Sequence, residues 1–214
     1  GKARALYDRA LALYEKESDG LGQANTLRSL GDLESRLGEL GKARALYDRA
    51  LALFEKESDG LGQANTLRSL GDLESRLGEL GKARALYDRA LALFEKESFG
   101  QGQANTLQSQ GDLLREQKQW QSALECYATA LNLYAREQEP MGLAYTYAES
   151  AKCLHSLKNI AERDTMLWSA LGFAQRCGVD SVRDYVAGAA TDLLGDEAAF
   201  KAWFEARQRE QPPK

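Results

Sequence analysis

Few residues of this chain have the means to do chemistry, and their spacing argues against it. His155 is the single histidine, and it stands beside Leu154. A histidine base needs a nucleophile and an orienting acid within reach; with no such partners in the pattern, His155 reads as a surface or packing residue. Cys126, Cys153 and Cys177 are odd in number, widely spaced and without a C-x-x-C. They read as reduced thiols of a cytoplasmic protein, not a disulfide frame, and with one histidine they are too few for a zinc site. Two G-x-G segments, Gly20-Leu21-Gly22 and Gly60-Leu61-Gly62, precede helix starts, where a phosphate could sit. They follow helices instead of strands and recur in each copy, so they read as structural turn glycines. Asp32, Asp72 and Asp112 recur once every 40 residues. Stacked repeats hold such groups apart, which makes a poor acid/base pair. No catalytic residue, metal or cofactor is expected, and the chain is not read as an enzyme.

The elements that carry these residues come from a tandem array. Residues 1–40 and 41–80 are identical except for Tyr14 against Phe54, and 81–98 begin a third copy unchanged. Each copy holds two helical stripes. Ala64, Leu67, Leu70, Gly71 and Leu77, with Leu73 beside them, lie three or four apart; Ala83, Leu86, Tyr87, Ala90, Leu93 and Phe94 follow the same rule. Arg84, Asp88, Arg89 and Lys96 fill the opposite side of the second stripe. Gly78 ends the first helix as a C′ glycine. Gly20 and Gly60 are expected to end the second by taking the left-handed conformation. Composition agrees: 43% of residues are apolar, 28% are charged, and only three are proline, two of them Pro212 and Pro213. The net charge of −4, with both signs interspersed, leaves no basic stripe for nucleic acid. No apolar run reaches the roughly 20 residues of a bilayer span, and no signal peptide is visible.

The pattern resembles the tetratricopeptide repeat family in its long, 40-residue form. The residues that carry the resemblance are Leu27, Leu30, Gly31 and Gly38 in a first helix and its turn, then Ala43, Tyr47 and Ala50 in the second. The next copies give Leu67, Leu70, Gly71, Gly78, Ala83, Tyr87 and Ala90, and then Leu107, Gly111, Ala123, Tyr127 and Ala130. Glu34 and Glu74 stand where the family has a bulky residue, Glu55 where it has proline, and Arg163 where it has alanine. The resemblance implies an all-α α-solenoid, a right-handed superhelix of antiparallel helix pairs with about eleven helices. It also implies a concave groove, lined by first helices, that binds a peptide or partner helix. The matching positions are Asn25, Arg28, Asp32, Arg36, Asn65, Arg68, Asp72, Arg76, Asn105, Gln108 and Asp112. Asparagine can pair with a peptide backbone and arginine can grip a carboxylate in a fork. The plainer reading is a solvated helix face with Arg28–Asp32 and Arg68–Asp72 pairs at i, i+4.

The array decays after Phe99. Gln101, Gln108, Gln110, Gln117 and Trp120 replace Leu61, Arg68, Leu70, Leu77 and Leu80. Helices are predicted over 121–137, 141–157, 160–177, 179–194 and 196–210. Residues 1–178 are assigned to the array and 179–214 to a terminal cap, because an array must cover its last core; a docking helix is the alternative for the face of Phe200, Trp203 and Phe204. The chain opens on Gly1 and on a second helix with no first, which suggests a piece cut from something longer. That helix presents Ala3, Leu6, Tyr7, Ala10, Leu13 and Tyr14 with one flank open, which predicts end-to-end self-association as a homodimer. Two functions compete. One is a non-catalytic scaffold binding a protein or peptide in its groove. The other is a structural module, engineered or recently duplicated, whose main interaction is self-association.

Overall fold

The structure, a computed structural model, describes residues 2–210; the opening glycine and the terminal prolines lie outside the described residues. These residues form eleven helices and no strand. In chain order they are α1 (Lys2–Glu17), α2 (Gly20–Arg36), α3 (Leu40–Lys56), α4 (Gly60–Arg76), α5 (Leu80–Lys96), α6 (Gly100–Glu116), α7 (Trp120–Arg136), α8 (Pro140–Ser156), α9 (Ile160–Cys177), α10 (Asp180–Leu194) and α11 (Glu197–Glu210). They divide into two compact units, the first ending at Ser109 within α6 and the second starting at Gln110. In the first unit α2 packs on α3 and α4 on α5, with α1 against α2 and α3 against α4. In the second, α8 packs on α7 and α9, α10 on α8 and α9, and α11 on α10. Linkers this short force neighbouring helices to run antiparallel.

The turns follow a fixed chemistry. Gly38 and Gly78 take φ of 81° and 78°, as expected for C′ glycines. Gly20 and Gly60 do not end the second helices. Ser18, Ser58 and Ser98 hold the left-handed position instead, with φ of 55–56°. The chain reverses there so that Asp19 and Asp59, in extended conformation, can accept the Gly22 and Gly62 amides, each at 2.9 Å. This is an N-cap. Gly20 and Gly60 are then the first helical residues, and a Cβ on them would fall 2.2 Å from Glu57 Oε1 and 2.3 Å from Glu97 Oε1. Those carboxylates are the far ends of flexible side chains, so space does not demand glycine at either position.

The first helices α2, α4 and α6 are gripped by rings from both flanking second helices. A Cβ on Gly31 would lie 2.6 Å from the Tyr47 ring, and one on Gly71 2.5 Å from the Tyr87 ring. On the other side, Gly22 seats Tyr14 and Gly62 seats Phe54, with Cβ distances of 2.4 and 2.2 Å. The same two seams recur at Gly102 beneath Phe94, at Gly111 beneath Tyr127 and at Gly142 beneath Tyr134. Phe54, Phe94, Tyr127 and Tyr134 are almost fully buried there, among alanines with no exposure. Real side chains do not approach within these distances, so glycine is what lets the rings in.

The family departures also have physical partners. Glu34 and Glu74 are buried, and Arg4 and Arg44 from the preceding second helix reach them, Arg4 Nη1 to Glu34 at 2.8 Å. A buried carboxylate requires such a cation. Arg163 is buried as well; it bonds Asp164 at 2.6 Å and reaches the Leu193 carbonyl at 3.3 Å, tying α9 to the end of α10. Its Nη1 stands 3.2 Å from His155 Nδ1, so this histidine, exposed on its helix, accepts through Nδ1. Replacing Gly71 by leucine should overpack the Tyr87 seat and destabilise the fold by about 1–3 kcal/mol. Urea denaturation measures this; an unchanged midpoint would contradict the ring-on-glycine seam.

Candidate functional site

The 40-residue repeat places the candidate groove residues on one face of each first helix in the first unit. Asn25 and Asn65 donate Nδ2 to the Leu21 and Leu61 carbonyls of their own turns, at 3.0 and 2.9 Å. Their Oδ1 acceptors are left for a partner. Asp32 and Asp72 accept from the Tyr47 and Tyr87 hydroxyls at 2.7 and 2.8 Å. Asp112, in the second unit, accepts from Tyr127 at 2.7 Å. These carboxylates therefore do structural work: they satisfy the polar end of each buried ring. Arg68 pairs with Asp72 at 3.3 Å, as the spacing predicts. The equivalent Arg28–Asp32 pair does not close, and Arg28 keeps its Nε shut off from solvent without an acceptor, as does Arg68. Arg76 reaches back one repeat to the Ser35 hydroxyl at 2.7 Å and carbonyl at 3.0 Å, while Arg36 stays exposed. Asn105 and Gln108 are half-buried and have partners of their own.

The same register, carried into the second unit, leads to residues that the sequence reading passed over. Tyr145 and Tyr185 occupy the position of Asn25, Asn65 and Asn105; Glu149 takes that of Ser29, Ser69 and Ser109; Lys152 takes that of Asp32, Asp72 and Asp112. These groups converge. Glu149 is buried, stands in an ion pair 2.9 Å from Arg115, and accepts from Lys152 Nζ at 2.6 Å and from the Tyr185 hydroxyl. Lys152 also donates to Tyr185 at 2.9 Å and lies 4.9 Å from its ring centre, and Tyr145 meets Tyr185 edge-on at 4.7 Å. Counting forward by 40 from the serine column would have found Glu149.

Burial sets the protonation of this cluster. Desolvation foremost, and the Glu149 charge, push Asp112 up to about 6, against the opposing pull of the Tyr127 hydrogen bond and of Arg115. Asp72 is raised too, again by burial, with Arg68 working against it. Burial first, then its bond to Glu149, raises Tyr185. Cys153 is pushed up to about 12 by burial, so it is a thiol and not a nucleophile at neutral pH. No group of three or more metal-ligating side chains is present among the described residues. No described helix is long and apolar enough to cross a membrane. The cluster holds and orients charge; it has no free nucleophile beside a base.

The tetratricopeptide repeat model matches residues 1–56, 23–96 and 62–136. The chain belongs to the tetratricopeptide repeat family. Among curated proteins no relative matches the sequence. Solved structures share the fold. Aspartyl phosphate phosphatase F from Bacillus subtilis superposes with a TM-score of 0.84 at 14% identity, over 97% of this chain and 55% of its own, so the chain spans about half of that protein. BtubC (BKLC) from P. vanneervenii gives 0.72 at 19% identity, over 98% and 92%. A putative kinesin light chain of Podospora anserina with nearly identical TPR-like repeats gives 0.65 at 14% identity, over 89% and 97%. Tetratricopeptide repeats generally mediate contacts between proteins, and their fold is typically a non-catalytic scaffold.

The Asp112 shift has a definite sign. Its folded value lies above the ordinary 3.8, so its protonated form favours the folded state. The contribution is complete below about pH 4 and is lost as pH rises through about 6, an effect of about 1–3 kcal/mol. Carbon-13 NMR should give an Asp112 midpoint near 6, and Asp112→Asn should remove that part of the decline in stability. An Asp112 midpoint near 4, or a decline unchanged in the variant, would contradict the assignment.

Proposed function

We propose that this protein is a non-catalytic scaffold that holds an extended peptide or a partner helix of another protein along the exposed face of its first helices. The observation that carries this reading is the state of the repeated arginines. Arg28 has no carboxylate partner among the described residues, and Arg28 and Arg68 keep Nε donors hidden from water and unbonded. An arginine fork without a carboxylate is open to one, and an acidic side chain laid along the face supplies it to Arg28. Asn25 and Asn65, with Oδ1 uncommitted, suit the backbone of the same ligand. The cluster of Tyr145, Glu149, Lys152 and Tyr185 offers a different chemistry at equivalent repeat positions of the second unit. In this reading α10 and α11 serve as the terminal cap. The three cysteine thiols fit a reducing, cytoplasmic setting.

Self-association through α1 is the second reading. Leu6 and Leu13 are 63% and 59% exposed, whereas Leu46 and Leu53, their counterparts in α3, are half-buried. Covering α1 with a second copy would remove that difference. Selection from a displayed random-peptide library should yield extended acidic sequences. Their binding should weaken about tenfold or more in Arg28→Glu/Arg68→Glu, roughly 1.4 kcal/mol, with the helical circular dichroism unchanged. Ligands lacking acids, or affinity unmoved by the charge reversals, would contradict the scaffold reading. Sedimentation that depends on concentration, and no longer does so in Leu6→Glu/Leu13→Glu, would support self-association; monomers at every concentration would remove it.

A further inference from the structure

A cleft of about 850 Å³ opens between α9, α10 and α11, wholly within the second unit. It is within the size range of small-ligand pockets, roughly 300–1,000 Å³. Its floor is aromatic: Trp168 and Phe173 on α9, and Phe204 on α11, whose ring packs against Trp168 at 5.5 Å. Two small residues keep it open. Ala187 stands where the earlier first helices carry Leu27 and Leu67, both buried. Gly172 lies inside α9, where glycine is a poor helix former, and a Cβ there would meet nothing within 4 Å. The seven glycines seated under rings elsewhere have a packing reason; this one faces the cleft.

The rim is cationic. The Arg176 guanidinium lies 4.0 Å above the centre of the Phe173 ring and forms no ion pair among the described residues. Stacking engages its flat face and leaves the in-plane N–H fork for a carboxylate. Arg183 lines the other wall from α10; it pairs with Asp180 but stays half exposed, with further donors to offer. The lining hydroxyl of Ser169 is committed to the Thr165 carbonyl at 3.0 Å. Among the described residues the lining carries no carboxyl, histidine or cysteine, and its charged groups are the two arginines.

We propose that this cleft binds a small aromatic carboxylate, with its ring in the space left by Gly172 and Ala187 against the Trp168 face, and its carboxylate held by Arg176 and Arg183. The site is independent of the peptide-binding face, since neither Arg28 nor Arg68 contributes to it.

The probe is 1-naphthaleneacetate, titrated against the intact chain by tryptophan fluorescence and calorimetry. Saturable one-to-one binding is expected. It should weaken about tenfold or more when the carboxylate is replaced in 2-(1-naphthyl)ethanol, and likewise in Arg176→Gln. Gly172→Leu should fill the cleft and abolish binding while the melting temperature is unchanged or higher, because its side chain enters open space and glycine is removed from a helix. Arg28→Glu/Arg68→Glu should leave probe binding intact, which separates this site from the peptide face. No saturation at millimolar probe, equal affinity for the alcohol, or full binding by stably folded Gly172→Leu would overturn the proposal. So would a peptide ending in a tryptophan carboxylate that binds far more tightly than the probe, since the occupant would then be a protein terminus.

Discussion

Aromatic rings seated on glycine are the contact on which the fold depends. Each ring needs a flat, open stretch of helix, and a single methyl group there would stand within 2.7 Å of it. The first helices α2, α4 and α6 answer with two glycines nine residues apart, one for the ring of the preceding second helix and one for the ring of the following one. Alanines complete the surface. Gly102, Gly111 and Gly142 keep their seats where leucine positions around them have become glutamine, serine or tyrosine; in α8 the second seat is Ala151, and there Leu167 stands in place of the ring.

The rings bring a polar obligation with them. A buried tyrosine hydroxyl must find a partner, and Asp32, Asp72 and Asp112 provide it. This changes the meaning of the aspartate column. These carboxylates are held from within, and Asp72 still pairs with Arg68 through its second oxygen. The exposed face of α2 and α4 therefore carries arginine and asparagine, although the chain as a whole carries a net charge of −4.

Much of this was legible from spacing alone. Helix pairs, the Gly38 and Gly78 stops and the Gly31–Tyr47 seam all follow from period and residue size. The second seam was not, because Gly22 and Gly62 sit close to a turn and look like turn glycines; only the position of the preceding ring distinguishes the two roles. Ser18 and Ser58 were hidden for a related reason. A non-glycine residue is rarely placed in the left-handed region when a glycine stands two positions away, yet Ser98, which precedes Phe99 and no aspartate, holds the same φ, so the close of the preceding helix decides it. The cluster around Glu149 was overlooked because attention fell on what repeats. A buried glutamate in a serine column is a departure from the pattern, and departures are where unlike groups converge.

The ring-on-glycine contact is tested most directly by a double-mutant cycle. Gly71→Leu and Tyr87→Ala are made singly and together, and stability is measured by urea denaturation. If leucine is harmful because it meets the Tyr87 ring, removing the ring relieves it, and the double variant is more stable than the sum of the single losses by about 1 kcal/mol or more. Strict additivity of the two losses would mean that the ring and the glycine do not oppose each other, and the account of the fold would fail.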